Sequence, residues 1–535
     1  MEGQELKSIR PSSYEEIGPR QTLDERDRED LARVGKKAVL KRNFGFMSIL
    51  GFSCTILVTW EGTLVTFLQA FQNGGPSGVL YSYIFVWAGT FATFTTISEL
   101  ASMAPTSGGQ YHWVSMLAPR SSYKFYSYIT GWVTAAGWQA AISSAGYLSG
   151  TLIQGLIALT NPSYDPKPWH GTLLYWAVIA FAVVINIVSS GLLPKFEGLI
   201  LVLHILGFFA ILIPMAYLAQ HSSPSDVFNS FLNEGGWQTQ GLSFFVGILG
   251  NVFAFLGADA AVHMSEEIHN AARVVPQSIL TSMVVNGVLG LGMLITTLFS
   301  LGNIQQALAS RTGYPFMEIF LQATNSVAGS AVMASIITIL GLCATVGMMA
   351  SASRMFWAFS RDHGMPGWKL LSRLDSRTNI PVWSIALTTT ISCLLALIMI
   401  GSSVAFNDIV SMSVSNLYSS YLICCSLLLY RRCTGGILVR SESMSSGIVN
   451  APGATLTWGP FRVPGIFGIA VNTFAVIYLL IAIFFSFWPP DRVVTAGSMN
   501  FSSVGYGCVM IFSVVYYLVQ ARKVYTGPII ELEPE

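Results

Sequence analysis

Apolar residues in this chain come in blocks of about 20, the length a helix needs to cross a hydrocarbon core about 30 Å thick. Twelve such blocks are expected to span a membrane: 44–70, 79–103, 125–158, 172–192, 197–219, 242–265, 279–301, 329–358, 383–401, 407–430, 466–487 and 502–521. The composition agrees. Of 535 residues, 52% are hydrophobic and 10% charged, whereas a soluble domain carries roughly 25% charge. A formal net charge of +1 leaves neither a basic surface for nucleic acid nor an acidic tract for cationic partners, so nucleic acid is not an expected partner. The start MEGQELKSIR has no apolar stretch of signal-peptide length, and the first span is expected to act as the insertion signal.

Basic residues resist translocation and so set orientation. With a cytosolic N-terminus, the inner loops carry Arg120, Lys124, Lys195, Arg273, Arg361, Arg373, Arg431 and Arg432 among others, and the outer loops only Lys167, Arg311 and Arg492. Both termini are therefore expected in the cytosol, as an even number of spans requires. Residues 1–42 read as a solvated tail, with a mixed-charge run from Asp24 to Asp30 whose alternative role is docking or regulation. Residues 434–465 read as a connector, and 522–535 as a short cytosolic tail. The seven cysteines (Cys54, Cys343, Cys393, Cys424, Cys425, Cys433 and Cys508) lack CxxC spacing and read as buried free thiols, not as a disulfide frame or zinc site. The sequon at Asn500 lies too close to the last span to suit glycosylation.

Helix-breaking residues at membrane depth are tolerated only where the freed backbone lines a cavity or meets a ligand. Two spans carry them. Span one has Thr59-Trp60-Glu61-Gly62-Thr63, and span six has Phe255-Leu256-Gly257-Ala258-Asp259. They are five spans apart, as expected if spans one to five (43–219) and six to ten (242–430) are two inverted halves, with spans eleven and twelve (466–521) peripheral. Half-helix N-termini would then suit a carboxylate and C-terminal carbonyls a cation. Gly146 and Gly150, spaced as GxxxG in span three, read instead as a helix-packing face.

A carboxylate at the bilayer centre costs at least about 2.5 kcal/mol and persists only where something compensates it. Glu61, beside Trp60, is positioned to hold an ammonium by charge, with a cation-π contact from the indole, or else to be a protonated structural acid. Asp259 is the counterpart acid on span six, and Glu99, near the inner end of span two, suits a gate or cap. His204 in span five titrates near neutral pH and reads either as a proton-coupling group or as a satisfied packing residue. His263 and Glu267, at i,i+4 spacing, read as a local pair, since no third metal ligand accompanies them. No metal and no cofactor is expected.

Four stretches resemble the amino acid-polyamine-organocation superfamily, specifically its fungal amino acid/choline/GABA permease branch. They are Ser98-Glu99 through Pro105, Gly108-Gly109, Tyr111 and Trp113; Phe253 to Asp259 continuing through His263, Glu266-Glu267 and Asn270 to Val275-Pro276; Ala350 to Pro366 ending in Asn379 and Pro381; and Asn73-Gly74-Gly75-Pro76. The resemblance covers most of residues 44 to about 430. It implies an all-α integral membrane protein with a LeuT-type five-plus-five core, discontinuous helices one and six, and alternating access. It also implies a substrate site lined by Trp60 to Thr63 and Phe255 to Asp259, with Phe255 as an aromatic gate. His204, nine residues after Lys195, stands at the interval where bacterial relatives carry a span-five lysine whose charge replaces a sodium ion.

The expected function is proton-coupled uptake of a small amine-bearing solute, such as an amino acid, GABA or choline, across the plasma membrane. Thr59, Trp138 and Phe255 add aromatic and hydroxyl walls, and the expected partners are the small solute, protons and lipid. An uncoupled facilitator or exchanger, or a transport-inactive sensor, would use the same pocket. A membrane enzyme is disfavoured by the lack of a nucleophile elbow, a GxGD motif or clustered histidines in the spans.

Overall fold

The computed structural model describes residues 23–401, 405–439, 447–495 and 498–531. Every regular element among them is helical, and the strand-like pairings are isolated bridges such as Phe44 with Ile268. A polar helix α1 (Leu23–Arg33) precedes α2 (Phe46–Leu57), α3 (Thr59–Val65) and α4 (Phe67–Met103). A short α5 (Gln110–Leu117) leads to α6 (Tyr123–Thr160), α7 (Pro168–Val188) and α8 (Leu193–Leu218). Then come α9 (Pro224–Phe228), α10 (Gln240–Gly247), α11 (Leu249–Ala254), α12 (Ala260–His263) and α13 (Ala271–Phe299). Next are α14 (Ile304–Leu308), α15 (Pro315–Thr324), α16 (Val327–Arg361), α17 (Trp368–Leu371), α18 (Val382–Gly401) and α19 (Ala405–Cys433). The described chain closes with α20 (Gly465–Ser486), α21 (Ser502–Tyr516), a π-helical turn over Tyr517–Ala521, and α22 (Arg522–Val524).

Ten helical stretches are long and apolar enough to cross a membrane, with α2–α3 and α21–α22 each counted as one. Two shorter apolar helices, Gln240–Ala254 and Val382–Ile398, lie where spans 242–265 and 383–401 are expected. The first is short because the helix breaks at Phe255. Between spans one and two the connection is a kink, not an extended loop: the helical run Phe67–Met103 is two helices that meet at Gly75 (φ +64°), within Asn73-Gly74-Gly75-Pro76. A side chain at Gly75 would meet Leu232 N at 2.7 Å. Pro76, with no N–H to lose, suits the first turn after this break.

The lipid and core faces separate cleanly along α8. Leu199, Val202, Leu206, Phe209 and Ile213 point outward, while Glu197, Ile200, His204, Phe208 and Ile211 are buried. An unbroken apolar outer face on a helix of this length suits hydrocarbon, not water. Small residues let the core helices approach closely. A Cβ on Gly146 would sit 2.3 Å from the Tyr175 ring, and one on Gly150 would sit 2.7 Å from Tyr175 N, so the GxxxG face seats the backbone of α7.

The described residues depart from the sequence reading in three further respects. The Asp24–Asp30 run lies on α1, where Asp27 is buried and accepts from Asn270 N at 2.8 Å, so part of the tail is docked rather than solvated. Residues 1–22 lie outside the described residues. The connector after α19 also docks. Asn450 donates to Met103 O (2.8 Å) and Thr457 O (2.9 Å), and Arg431 caps carbonyls at the end of α5. Finally, all seven cysteines are free, but Cys393 is half-buried and Cys433 and Cys508 are exposed, Cys433 as the last residue of α19 and Cys508 within α21.

Replacing Gly150 by Val should displace the α7 backbone and lower stability by about 1–3 kcal/mol. Gly198→Ala on α8, where a Cβ meets nothing within 4 Å, should be neutral or stabilising by up to about 1 kcal/mol. Thermal unfolding of the purified proteins compares the two.

Candidate functional site

Helix α2 stops at Leu57 because Val58 adopts the left-handed conformation (φ +41°), an unfavourable one for a β-branched residue. The first break thus falls one residue before the expected stretch, and Thr59 to Thr63 are themselves helical, on the first turns of α3. The second break falls where expected: Phe255 to Asp259 lie outside α11 and α12, and Gly257 has φ +100°. The two breaks meet. A Cβ on Gly257 would stand 3.2 Å from Ile56 Cγ2, and one on Gly62 would stand 3.2 Å from Ala254 Cβ.

Between them lies a cavity of about 60 Å³. Its walls include Val58, Glu61 and Gly62 from the first break, Leu256 and Gly257 from the second, Trp138 of α6 and Met348 of α16. Glu61 is the sole charged residue in this lining; no Lys, Arg or His contributes to it.

Four of the expected site residues, Glu61, Gly62, Trp138 and Gly257, line this cavity, and the others lie outside its walls. Thr59 N donates weakly to Asn286 Oδ1 (3.4 Å), and the Thr63 hydroxyl donates to Trp60 O (3.0 Å). Trp60 packs beside His204 and Phe208 with its indole N–H unpartnered. Phe255 is buried against Tyr83, ring centroids 5.1 Å apart, instead of facing the cavity. Ala258 is buried behind the same turn. Glu99 is buried, not solvent-reached as expected. It pairs with Arg432 and accepts from Val463 N (2.7 Å), tying α4 to the end of α19 and the following segment.

The two intramembrane acids have opposite surroundings. Asp259 accepts from Tyr421 O–H (2.5 Å), Gln110 Nε2 (2.7 Å) and Trp138 Nε1 (3.3 Å), and His263 Nε2 is 3.5 Å away. Its oxygens are taken by groups from α5, α6 and α19, so it orients Trp138 and does not line the cavity. His263 faces Asp259 and Ser107 O (3.0 Å), while Glu267 pairs with Arg354 (2.8 Å); the expected His263–Glu267 pair does not form. Asp259 stands at i−4 from His263, within reach of a spacing rule, whereas Ser107 and Arg354 lie on other elements and are not.

Glu61 has a single partner. Its Oε1 is 2.7 Å from His204 Nδ1, and both side chains are buried. The other atoms of the pair, Glu61 Oε2 and His204 Nε2, have no hydrogen-bond partner in the protein. The contact joins α3 to α8 across 143 residues of sequence and leaves one polar atom of each side chain open.

A larger cavity of about 430 Å³, lined by Arg311, Asp408 and Trp488 among others, shares Val65, Thr66 and Leu148 with the inner one. It lies on the face away from the chain ends. Asn500 also lines it, but its amide nitrogen already donates to Ser486 O (2.9 Å) and Trp488 O (3.0 Å). On the other side the chain ends seal the molecule. Lys36 Nζ meets Asp362 Oδ1 (2.6 Å), Tyr111 O–H and Ile529 N donate to the same carboxylate, and Arg361 forks onto Glu266 at 2.8 and 2.9 Å. A family model described as "Amino acid permease" matches residues 44–514. The chain belongs to this family.

Amino acid permeases are transporters, so this is a multi-pass membrane transporter and not an enzyme. The relatives of this permease come from fungi and plants. A choline transporter of Saccharomyces cerevisiae is 27% identical over 95% of this chain and 86% of its own length. Amino-acid permease BAT1 of Arabidopsis thaliana is 27% identical over 93% and 95%. Amino-acid permease 2 of Neurospora crassa is 24% identical over 97% and 92%.

The sealed face of the permease is acid-sensitive. Burial, reinforced by Lys36, pulls the His112 imidazole down from 6.5 to about 4. The folded chain therefore keeps it neutral, and the stability this provides is complete above about 6.5 and lost as pH falls towards about 4. Burial alone would raise the Asp362 and Glu266 carboxyls, but Lys36 and Arg361 override it and hold both below the usual carboxylate range. Their contribution is full above the ordinary carboxylate values of about 4 and is lost below them. The unfolding temperature of the purified permease should fall as pH drops through the first window, and His112→Gln should flatten that fall.

Proposed function

We propose that this permease carries a small amine-bearing solute into the cell together with a proton, by alternating access through a twelve-span, LeuT-type pair of inverted halves. In this reading residues 43–219 and 242–430 are the halves, α20 and α21 are peripheral, and both chain ends face the cytosol from the plasma membrane. The clustering of Arg120, Lys124, Arg361, Arg373, Arg431 and Arg432 towards the chain-end face supports that orientation.

The observation that carries the reading is the buried Glu61–His204 contact at the wall of the cavity between the two breaks. A carboxylate and an indole in a wall without basic side chains favour a cation. At about 4 Å and an effective dielectric near 20, the attraction is about 4 kcal/mol, and Trp138 adds a cation-π contact. A choline-like quaternary amine uses these two groups alone. An amino acid or GABA sets its ammonium on Glu61 in the same way and its carboxylate on backbone amides freed near Gly257. Glu61 Oε2 is free to take the ammonium while Oε1 meets His204 Nδ1, so one carboxylate holds the solute and the proton side by side and carries both through the cycle.

The test is uptake by expressing cells of labelled choline, GABA, amino acids and polyamines at two external pH values. Glu61→Gln, present at the membrane in normal amount, should lower uptake by about tenfold or more, equivalent to about 1.4 kcal/mol. His204→Ala should remove the dependence on external pH. Wild-type uptake that ignores pH would favour a facilitator or exchanger, and binding without flux would favour a sensor.

A further inference from the structure

Glu197 takes no part in the site described above, yet it is the most isolated acid in the membrane-spanning helices. Its side chain is 0% exposed, and neither carboxyl oxygen has a hydrogen-bond partner. It sits on α8 two turns below His204, in the seam where α8 packs on α2. That seam is tight, since a Cβ on Gly51 would stand 2.5 Å from Glu197 O.

The surroundings offer a negative charge no cation and at most one hydroxyl. Thr55 of α2 lies beside the carboxyl, but its hydroxyl proton is already given to Gly51 O (2.7 Å). Its oxygen is left only to accept. Cys343 of α16 is the other titratable neighbour, and its thiol offers no charge compensation. Lys195, close by in the chain, points outward. No cation lies within ion-pair distance among the described residues, and α13 and α15 bring none to it. An ionised carboxylate buried without partners costs several kcal/mol, whereas a protonated one donates to Thr55 and meets its requirement.

We infer that Glu197 is a proton-binding lock on the α2–α8 seam: α2 packs on α8 only with this carboxyl protonated, and separation of α2 lets cytosolic water take the proton. The left-handed break at Val58 makes α2 a separate half-helix able to move as a unit. One proton enters from the cytosol at each closure and returns at each opening, so the lock moves no net charge across the membrane. It makes the inward-open population depend on cytosolic pH. This inference rests on the alternating-access part of the proposed function and is independent of substrate identity and of proton coupling at Glu61.

Hydrogen–deuterium exchange of the purified full-length protein tests it over a pH series, with each peptide corrected for its intrinsic rate in the unfolded chain. One linked proton makes the open-to-closed ratio rise tenfold per pH unit. Peptides covering 46–57 and 193–204 should follow that slope in the wild type, while peptides from α20 stay flat. Glu197→Gln, permanently neutral, should keep both segments protected at every pH. Thr55→Val leaves the carboxyl in place but removes its acceptor, and should raise opening at each pH even if the glutamine variant does not fold. A flat wild-type profile, or a Glu197→Gln profile with the wild-type slope, would overturn the lock. The uptake experiment could still succeed in that case, so the two failures are separate.

Discussion

Backbone groups in hydrocarbon have no water to turn to, and this permease interrupts its helices there twice. Each interruption is tenable because the other covers it. Gly62 lies against Ala254 and Gly257 against Ile56, at spacings that leave no room for a further methyl without adjustment, and Trp138 stands in ordinary contact with Gly257. The enclosed cavity is a by-product of two breaks that cannot fill each other completely. From this follow the position of Glu61 on the wall, the fixing of Trp138 by Asp259, and the need for α6 and α16 to complete the enclosure.

The two acids near the breaks illustrate how surroundings divide one chemistry into two roles. Asp259 has three donors and a histidine around it, and its carboxyl ties α5, α6, α12 and α19 together. Glu61 has one histidine and one free oxygen. It therefore keeps one oxygen open towards the cavity, where those of Asp259 are taken up by neighbouring donors. On the face opposite the larger cavity, Lys36, Asp362, Arg361 and Glu266 hold the segments before α2 and after α22 against the ends of α12 and α16.

Much of this architecture is legible in the sequence, for reasons that also account for the gaps. Span positions can be read because crossing lipid imposes a run length on the chain that no tertiary contact can relax. The break at Gly257 is legible because a glycine next to an intramembrane acid does more than let two helices pack closely. The break at Val58 is not, since a β-branched residue opposes the left-handed conformation it adopts, and only the surrounding packing enforces it. Glu61 stands out as a charge within an apolar run, but its partner His204 lies 143 residues away on another helix. The donors to Asp259 and the clamp on Glu99 are likewise long-range. The docking of α1 and of the 447–463 segment is hidden because polar composition reports solubility, whereas Asp27 and Asn450 are buried by contacts with distant loops.

The most direct test of the central claim is photoaffinity labelling with a choline or amino-alkyl analogue bearing a small photoreactive group, followed by peptide mapping. If the solute binds where the breaks meet, adducts will fall within residues 56–62, 253–257 and around Trp138, and unlabelled substrate will compete them away. Competable adducts confined to the outer cavity near Arg311 and Asp408, with none on those segments, would contradict it.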